Sequence, residues 1–245
     1  TVLTNIEWNT SKTGLINPVA IFEPVDLNGA VTTRATLHNI TYIKDMMLGV
    51  GDRIRVYRSN MVIPKVHDSI DKSGNFKIPD KCPICGQPTR IVKENDSEVL
   101  MCENPNCQGK LLGRLVHAAS RNALDIENLS ESTIEKFINL GWLNSIKDIY
   151  HLSDHENEMK TLEGFGKKSV EKLLSSIEKS RNISLERFLY SLSILLLGKS
   201  ASMMIAEAVN HDFDTFIDEM TIKGAEYFRY LPGIGDALTS SLNTY

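Results

Sequence analysis

The sequence lacks the features that mark a membrane, secreted or strongly basic protein. No run approaches the roughly 18 consecutive apolar residues that a membrane span needs, and no signal peptide opens the chain. We therefore expect a cytoplasmic protein that is not held at a membrane. The net charge of −4 argues against nucleic-acid binding by overall positive charge. Because the chain begins with Thr1 rather than Met, we also expect a piece of a longer protein.

Positive charge is scarcest in the second half of the chain. Residues 123–245 hold nineteen Asp and Glu against twelve Lys and Arg, whereas residues 1–122 hold twelve against fifteen. The second half therefore carries a net charge of −7. If it binds nucleic acid, it does so through local geometry, because its overall field repels phosphate.

Three stretches of different pattern follow one another. Residues 1–78 alternate short β-branched runs, such as Val19–Phe22, with Gly-containing turns, which predicts a small β-barrel. Residues 79–109 are rich in turns and too short to bury a core of their own. From residue 110 the apolar residues follow a helical period, which predicts an all-α region. We therefore predict three domains, 1–78, 79–109 and 110–245.

Cysteine is also scarce, and all four cysteines lie within the middle stretch. Cys82 and Cys85 are separated by two residues, and Cys102 and Cys107 by four. Two close pairs let four thiolates converge on Zn²⁺. The alternatives are two disulfides or four free thiols, and the spacing together with the missing secretory signal favours zinc. Because protein ligands fill all four positions, the predicted metal is structural rather than catalytic.

A weak repeat runs through the helical stretch. Gly164-Phe165-Gly166 and Gly233-Ile234-Gly235 each precede a polar helix start, and Leu197-Gly198-Lys199 and Leu129-Ser130-Glu131 are degenerate copies. The spacings between Ser130, Gly166, Gly198 and Gly235 are 36, 32 and 37 residues. This irregular period predicts four small helical hairpins.

A glycine turn that leads into a helix can bind phosphate. The first amides of the helix have no partner within it, and glycine lets the phosphate approach closely. The alternative is an ordinary helix-terminating turn, but repetition favours contact with the DNA backbone, without base specificity. The candidate residues are Gly164, Gly166, Lys167, Lys168, Gly198, Lys199, Gly233 and Gly235.

Polar and apolar blocks in the predicted barrel form a third signal. They are the stretches 12–14, 34–39 and 61–64, and small barrels often bind nucleic acid on one face and in their loops. Taken alone, Arg34 and His38 are equally well explained as a surface charge and a hydrogen-bonded turn residue.

These motifs together resemble bacterial NAD-dependent DNA ligases over essentially the whole chain. Thr13-Gly14, Glu23-Pro24-Val25, the stretch 34–39, Gly51-Asp52 and Val62-Ile63-Pro64 resemble the OB-fold of that family. The cysteine quartet resembles its zinc finger. The stretches 162–166 and 231–235 resemble two hairpins of its helix-hairpin-helix domain, in the same domain order.

The resemblance implies a DNA-gripping part of a larger enzyme. In this family an N-terminal domain transfers AMP from NAD to a lysine in a Lys-x-Asp-Gly motif, then to the 5′-phosphate of a nick. That motif is absent here, so we expect no catalytic residue in this chain and no ligase activity of the fragment alone. NAD and Mg²⁺ are then used by the full-length enzyme, in replication and repair, and not bound here. The expected partners are nicked duplex DNA and the adenylation domain of the same polypeptide. We expect the protein to be a monomer.

The resemblance also implies which residues contact DNA. The barrel would lie in the minor groove near the nick, and the hairpins would hold phosphates on both sides of it. For the barrel the implied contacts are Lys12, Thr13, Arg34, His38, Val62 and Ile63.

Several residues depart from the family pattern. The family usually has arginine at Lys12, Ala-Gly at Ser59-Asn60, and glycine at Ser130 and Ser193, so the first hairpin is expected to be mainly structural. The BRCT module usual at the C-terminus of the family is not found.

Two other hypotheses remain open. One is a stand-alone nucleic-acid-binding or scaffold module without ligase function. The other is a nuclease, which needs a cluster of acidic metal ligands that the sequence does not offer.

Overall fold

The computed structural model describes residues 1–27, 29–60, 62–94 and 96–245. The chain divides into two compact units, Thr1–Lys110 and Leu111–Tyr245. The predicted barrel and the cysteine segment lie in the same unit, and a further division between residues 78 and 79 stays a prediction. Within the described ranges, no helix is long and apolar enough to cross a membrane.

The first unit is built from β-strands and a short helix. Helix α1 spans Ile40–Asp45 and begins at Asn39, whose side chain accepts a hydrogen bond from the Tyr42 amide. The strands are β1 Leu3–Thr10, β2 Leu15–Asp26, β3 Val31–Thr36, β4 Ile54–Ser59, β5 Ile63–Ser69, β6 Thr89–Glu94 and β7 Ser97–Cys102.

Five of these strands close into a barrel, as predicted. Hydrogen bonding runs in the order β1-β2-β3-β5-β4, with β3 and β5 parallel. A bridge between Val2 and Arg53 returns β4 to β1, where the Leu3 amide donates to the Asp52 carbonyl at 2.8 Å. The interior is filled by the inward side chains of the alternating strands, including Leu3, Ala20, Phe22, Ile54 and Val66. Met61, the first residue of the stretch 61–64 singled out in the sequence, lies outside the described residues.

The cysteine segment contains a strand pair that the sequence pattern did not predict. Strands β6 and β7 form an antiparallel ribbon, and β7 continues onto β2 through Leu15–Met101 and Ile16–Leu100. Leu100 and Ile16 are each 1 % exposed and pack with three of the cysteines. The cysteine segment therefore shares its core with residues from the 1–78 stretch. Because it is too short to bury a core of its own, the sequence alone showed no sign of this pair of strands.

The second unit is helical, as the change of period predicted. Its helices are joined by short turns and by 3₁₀ segments at Ile146–His155, Ser180–Asn182 and Gly224–Phe228. The α-helices are α2 Gln108–Ala119, α3 Glu131–Asn139, α4 Glu156–Met159, α5 Lys167–Lys179, α6 Leu185–Ser191, α7 Lys199–Ala208, α8 Phe213–Lys223 and α9 Asp236–Thr244. The first residues of α2, up to Lys110, belong to the first unit.

Two apolar clusters stabilise the second unit. One contains α3 and α5, with Phe137 and Leu173 buried. The other contains α7 and α9, with Ile205 and Leu242 buried. Each such side chain contributes about 1.5–3 kcal/mol on burial. The first cluster therefore positions the starts of α3 and α5, and the second positions the starts of α7 and α9.

Candidate metal centre and helical turns

The four cysteines converge in space. Cys82 and Cys85 lie in one turn, Cys102 is the last residue of β7, and Cys107 immediately precedes α2. The sulfur atoms all lie within 4.8 Å of one another, with Cys82–Cys107 at 3.9 Å and Cys85–Cys102 at 3.6 Å. Tetrahedral Zn–S bonds of about 2.3 Å place sulfurs about 3.8 Å apart, whereas a disulfide needs about 2.05 Å. The geometry fits a four-coordinate metal ion and not a pair of disulfides.

The surroundings of Cys82 and Cys85 lower the pKa of these two thiols, and backbone amides also donate to Cys107. The backbone amides of Ile84 and Cys85 donate to Cys82, and those of Gly109 and Lys110 donate to Cys107. Burial opposes ionisation of Cys82, but these amides and the Thr10 hydroxyl outweigh it and lower its pKa to about 6.

Not every cysteine ionises readily without a cation. Burial, and then the neighbouring sulfurs of Cys85, Cys82 and Cys107, raise the pKa of Cys102 to about 12. Burial likewise raises the pKa of Cys107. A bound divalent cation reverses that balance, since a coordinating thiol loses its proton. Such an ion would join the turn, the ribbon and the start of α2. With all four ligands supplied by the chain, no position is left for substrate.

The four predicted hairpins share one turn geometry. We call them the first (126–130), second (162–166), third (194–198) and fourth (231–235) turns. In each, the residue two before the helix N-cap has a positive φ, at Asn128 (66°), Gly164 (85°), Leu196 (67°) and Gly233 (79°). In each, the N-cap is extended and its carbonyl accepts from the amide four residues on, at 2.9–3.1 Å, in the pairs Ser130–Ile134, Gly166–Val170, Gly198–Ser202 and Gly235–Thr239.

Neither packing nor backbone conformation requires glycine at three of the N-caps. A methyl group added at Gly166, Gly198 or Gly235 would meet no heavy atom of the described residues within 4 Å beyond its chain neighbours. Their φ angles of −89°, −85° and −101° suit any residue. Serine caps a helix better, as at Ser130, whose hydroxyl accepts from the Thr133 amide at 3.3 Å. The three glycines therefore leave bare amides exposed at the starts of α5, α7 and α9.

Leu196 occupies the left-handed position without being glycine. A left-handed conformation costs a non-glycine residue about 1–2 kcal/mol. Asn128, at the same position of the first turn, belongs to the residue types that tolerate it. In the sequence, the third turn is recognisable only as a degenerate copy of the glycine turns.

Charge distinguishes the four helix starts. Lys167 and Lys168 begin α5, and Lys199 begins α7. By contrast, Glu131 begins α3, and Asp236 begins α9, where it forms an ion pair with Arg229. The starts of α5 and α7 are therefore the better anion sites, and the Arg229–Asp236 pair at the fourth turn was not foreseen.

Sequence reading missed a basic stripe on α5. Lys168, Lys172 and Lys179 line one groove of about 760 Å³. Asp125, which precedes the first turn, and Glu127, within it, line the same groove. The i, i+4 spacing of Lys168 and Lys172 was the available signal. These lysines place positive charge along α5, in a groove that Glu171 also lines.

The predicted barrel contacts lie mainly in two loops. Lys12 and Thr13 are in the β1–β2 connection, and partial burial lowers the pKa of Lys12. Val62, which precedes β5, is 72 % exposed, and Ile63, its first residue, is 51 % exposed. In small barrels of this type the β1–β2 and β4–β5 loops bind oligonucleotides.

Arg34 and His38 have partners within the chain. The Arg34 guanidinium donates to Glu7 at 2.5 Å. His38 has φ 56° and its ring lies edge-on to Tyr42, 5.0 Å between centroids. Burial, and then the charge of Lys65, lower its pKa. Both side chains stay accessible, so the local and the nucleic-acid interpretations remain compatible with the geometry.

Comparison with known proteins gives one family and many relatives. Residues 1–76 match the NAD-dependent DNA ligase OB-fold domain. The chain is 42 % identical over 249 residues to a DNA ligase of Lachnoclostridium phytofermentans, covering 100 % of this chain and 37 % of that protein. It is 41 % identical to a DNA ligase of Ruminiclostridium cellulolyticum, covering 98 % and 36 %, and 37 % identical to one of Thermomicrobium roseum, covering 99 % and 34 %. The chain thus spans about a third of the length of these relatives.

Proposed function

The chain belongs to the NAD-dependent DNA ligase family, and from that premise we propose that it is the part of such a ligase that grips nicked duplex DNA. It acts beside an adenylation domain of the same polypeptide in replication and repair. It supplies no nucleotidyl lysine, because no Lys-x-Asp-Gly occurs in its sequence, and the fragment alone is inactive. The premise rests on similarity along the whole chain to DNA ligases and on the OB-fold match at residues 1–76.

The observation that carries the proposal is that three helix N-caps are glycine although nothing in their own packing or backbone requires glycine there. At Gly166, Gly198 and Gly235 neither packing nor backbone angle demands glycine. A phosphate oxygen can accept hydrogen bonds from the amides that follow, favoured by the positive end of the helix dipole. A side chain at the N-cap would stand in its way. These contacts place the DNA backbone without reading its sequence.

Cations reinforce two of these sites. Lys167 and Lys168 flank the second turn and Lys199 the third. They supply positive charge within a unit of net negative charge, and each phosphate they neutralise makes binding dependent on salt. At the fourth turn, Gly233 and Gly235 bind phosphate with Arg229 rather than a lysine nearby, and Asp236 weakens that site.

The barrel contributes the contact nearest the nick. Lys12 and Thr13 in one loop and Val62 and Ile63 in the other reach the minor groove, with Arg34 and His38 on the strand and turn between. The apolar tips contact sugar edges, and the cations contact phosphates.

Zinc supports this architecture without taking part in chemistry. Cys82, Cys85, Cys102 and Cys107 hold Zn²⁺ as a structural ion. When bound, it replaces repulsion among four sulfurs by four metal–ligand bonds and fixes the ribbon and the start of α2. NAD and Mg²⁺ serve the full-length enzyme elsewhere.

Holding both sides of a nick serves sealing by proximity. Sealing needs the 3′-hydroxyl close to the adenylated 5′-phosphate and in line with it, and a fixed duplex supplies much of that orientation. The residues of this chain bind and orient DNA, while transfer of AMP takes place on the adenylation domain.

A sealing assay tests the proposal. The 245-residue chain is added to a separately prepared adenylation domain, NAD, Mg²⁺ and a nicked duplex. We expect no sealing by either piece alone and measurable sealing by both, with nick binding by this chain that weakens steeply with salt. DNA binding without rescue would favour a stand-alone binding module, and neither binding nor rescue would contradict the proposal.

A further inference from the structure

The third turn differs from the others in its two outermost residues. Leu195 and Leu196 are each 59 % exposed, and Leu196 is held at φ +67°. The flanking Ile194 and Leu197 are buried, at 9 % and 5 % exposed. The equivalent positions of the other turns carry acidic, amide, proline or glycine residues, namely Glu127, Asn128, Glu163, Gly164, Pro232 and Gly233.

No contact among the described residues accounts for this exposed pair. The exposed side chains bury little apolar surface, and the left-handed backbone at Leu196 disfavours leucine. Glycine, as in the second and fourth turns, or asparagine, as in the first, suits that backbone better. Two exposed leucines at one turn are thus unfavourable for the free protein, and a contact outside it would account for them.

We propose that Leu195 and Leu196 make an apolar contact with deoxyribose edges in the DNA minor groove, beside the phosphate bound at Gly198. The inference rests on the proposed function and adds a contact that is not electrostatic. Neighbouring Cα atoms are about 3.8 Å apart, so the Cα of Leu196 lies within about 7.6 Å of that of Gly198. A phosphate on the amides after Gly198 therefore brings the adjoining sugar within reach of a leucine side chain.

The position of the pair favours DNA over another occupant. The leucines are separated from the bare amides of α7 by Leu197 and Gly198 only, and Lys199 follows directly. A cation and exposed amides beside two leucines match a polyanion whose sugar edges are apolar. Apolar side chains that enter the minor groove are an established feature of proteins that bind there.

The proposal predicts a loss of affinity without a change of salt dependence. The test variant is Leu195→Ser/Leu196→Asn, in which asparagine copies Asn128 of the first turn and relaxes the backbone. Anisotropy of a labelled nicked duplex is measured with the 245-residue chain over a range of salt. We expect affinity to fall about tenfold or more, as for loss of a buried leucine contact. The slope of log K against log salt stays unchanged, because an apolar contact releases no counterion.

Controls separate the possible failures. Ile222→Ser removes an apolar side chain that is 76 % exposed on α8 and should bind DNA as the unaltered chain does. Circular dichroism checks that both variants keep their helices. Equal affinity of the double variant and the unaltered chain, a shallower salt slope, or an equal loss in Ile222→Ser would overturn the inference alone. Loss of self-association with DNA binding intact would assign the pair to a second copy and overturn it too. An unaltered chain that binds no DNA at low salt would overturn the proposed function as well.

Discussion

Gly166, Gly198 and Gly235 occupy helix N-caps, where serine would hold the helix better. Ser130 shows the alternative at the first turn, in the same conformation and with a hydroxyl on the Thr133 amide. The chain thus has no side-chain cap at three helix starts, which agrees with the proposed phosphate contacts. In the proposed function, a side chain at the N-cap would stabilise the helix but would obstruct the phosphate.

Gly166→Ser should therefore stabilise the chain and weaken DNA binding. The hydroxyl can cap α5, which raises the free energy of unfolding by a few tenths of a kcal/mol. The same side chain covers the amides and obstructs phosphate, so affinity falls about tenfold, or about 1.4 kcal/mol. Thermal unfolding and nick binding measure the two effects. The matched control, Ser130→Gly, should lose a little stability and keep its affinity. Unchanged DNA binding in Gly166→Ser would make that turn purely structural.

Asp52 gives the barrel a pH-dependent contribution. Asp52 is 3 % exposed, and its carboxylate accepts hydrogen bonds from the Ser69 hydroxyl at 2.8 Å and the Ser73 amide at 3.2 Å. Burial opposes ionisation, but these bonds outweigh it and hold the pKa of Asp52 below its ordinary value of 3.8. A lowered folded-state pKa means that the stabilisation is complete above the unfolded-state value. It is lost as pH falls through the folded-state value.

Asp52→Asn should remove that dependence. At neutral pH we expect the variant to be less stable by about 1–3 kcal/mol. The difference should shrink as pH falls from about 5 to about 2. Urea unfolding at a series of pH values measures it, with the exposed Asp45→Asn as control. Stability curves that stay parallel through this range would contradict the assignment.

At the scale of elements, what the sequence revealed depended on whether the signal was local. The Gly-x-Gly turns and the helical period are local, and the second and fourth turns were found from them. The third turn was only partly recognised, because Leu196 hides a left-handed position that glycine normally marks. Strands β6 and β7 were missed because the buried residues of β7, Leu100 and Cys102, pack with Ile16 and Ile40, which are distant in sequence.

Removing the metal should loosen the ribbon and the adjoining barrel side while sparing the helical unit. In Cys102→Ser three sulfurs remain, and three ligands hold zinc much less tightly. Since Cys82, Cys102 and Cys107 pack with Ile16 and Ile40, loss of the ion also loosens the edge where β7 meets β2. Metal analysis should show loss of stoichiometric zinc, and limited proteolysis should give earlier cleavage near residues 80–107.

The control for this experiment is a neighbour in the same strand. Met101→Leu should keep both its zinc and its resistance to protease. Full zinc occupancy in Cys102→Ser would show that the ion does not depend on the tetrahedral set.

Across the whole molecule, charge and proposed binding sites do not coincide. The second half is acidic overall, yet it carries the bare helix starts and the lysines Lys167, Lys168 and Lys199. Composition alone therefore pointed away from DNA, whereas the repeat of turns pointed towards it. In the proposed function, DNA is therefore bound by helix-start amides and a few lysines rather than by a basic face.

These two kinds of contact have different salt signatures. Each neutralised phosphate adds about −0.9 to the slope of log K against log salt. Lys167→Gln/Lys168→Gln should therefore make the slope shallower by up to about two such steps. Gly166→Ser should reduce affinity while leaving the slope nearly unchanged, because amides release few counterions. Binding isotherms of the three proteins from low to moderate salt measure both quantities. If the glycine variant also flattened the slope, lysines rather than amides would carry the contact at the second turn, and the N-cap glycines would lose their role in binding.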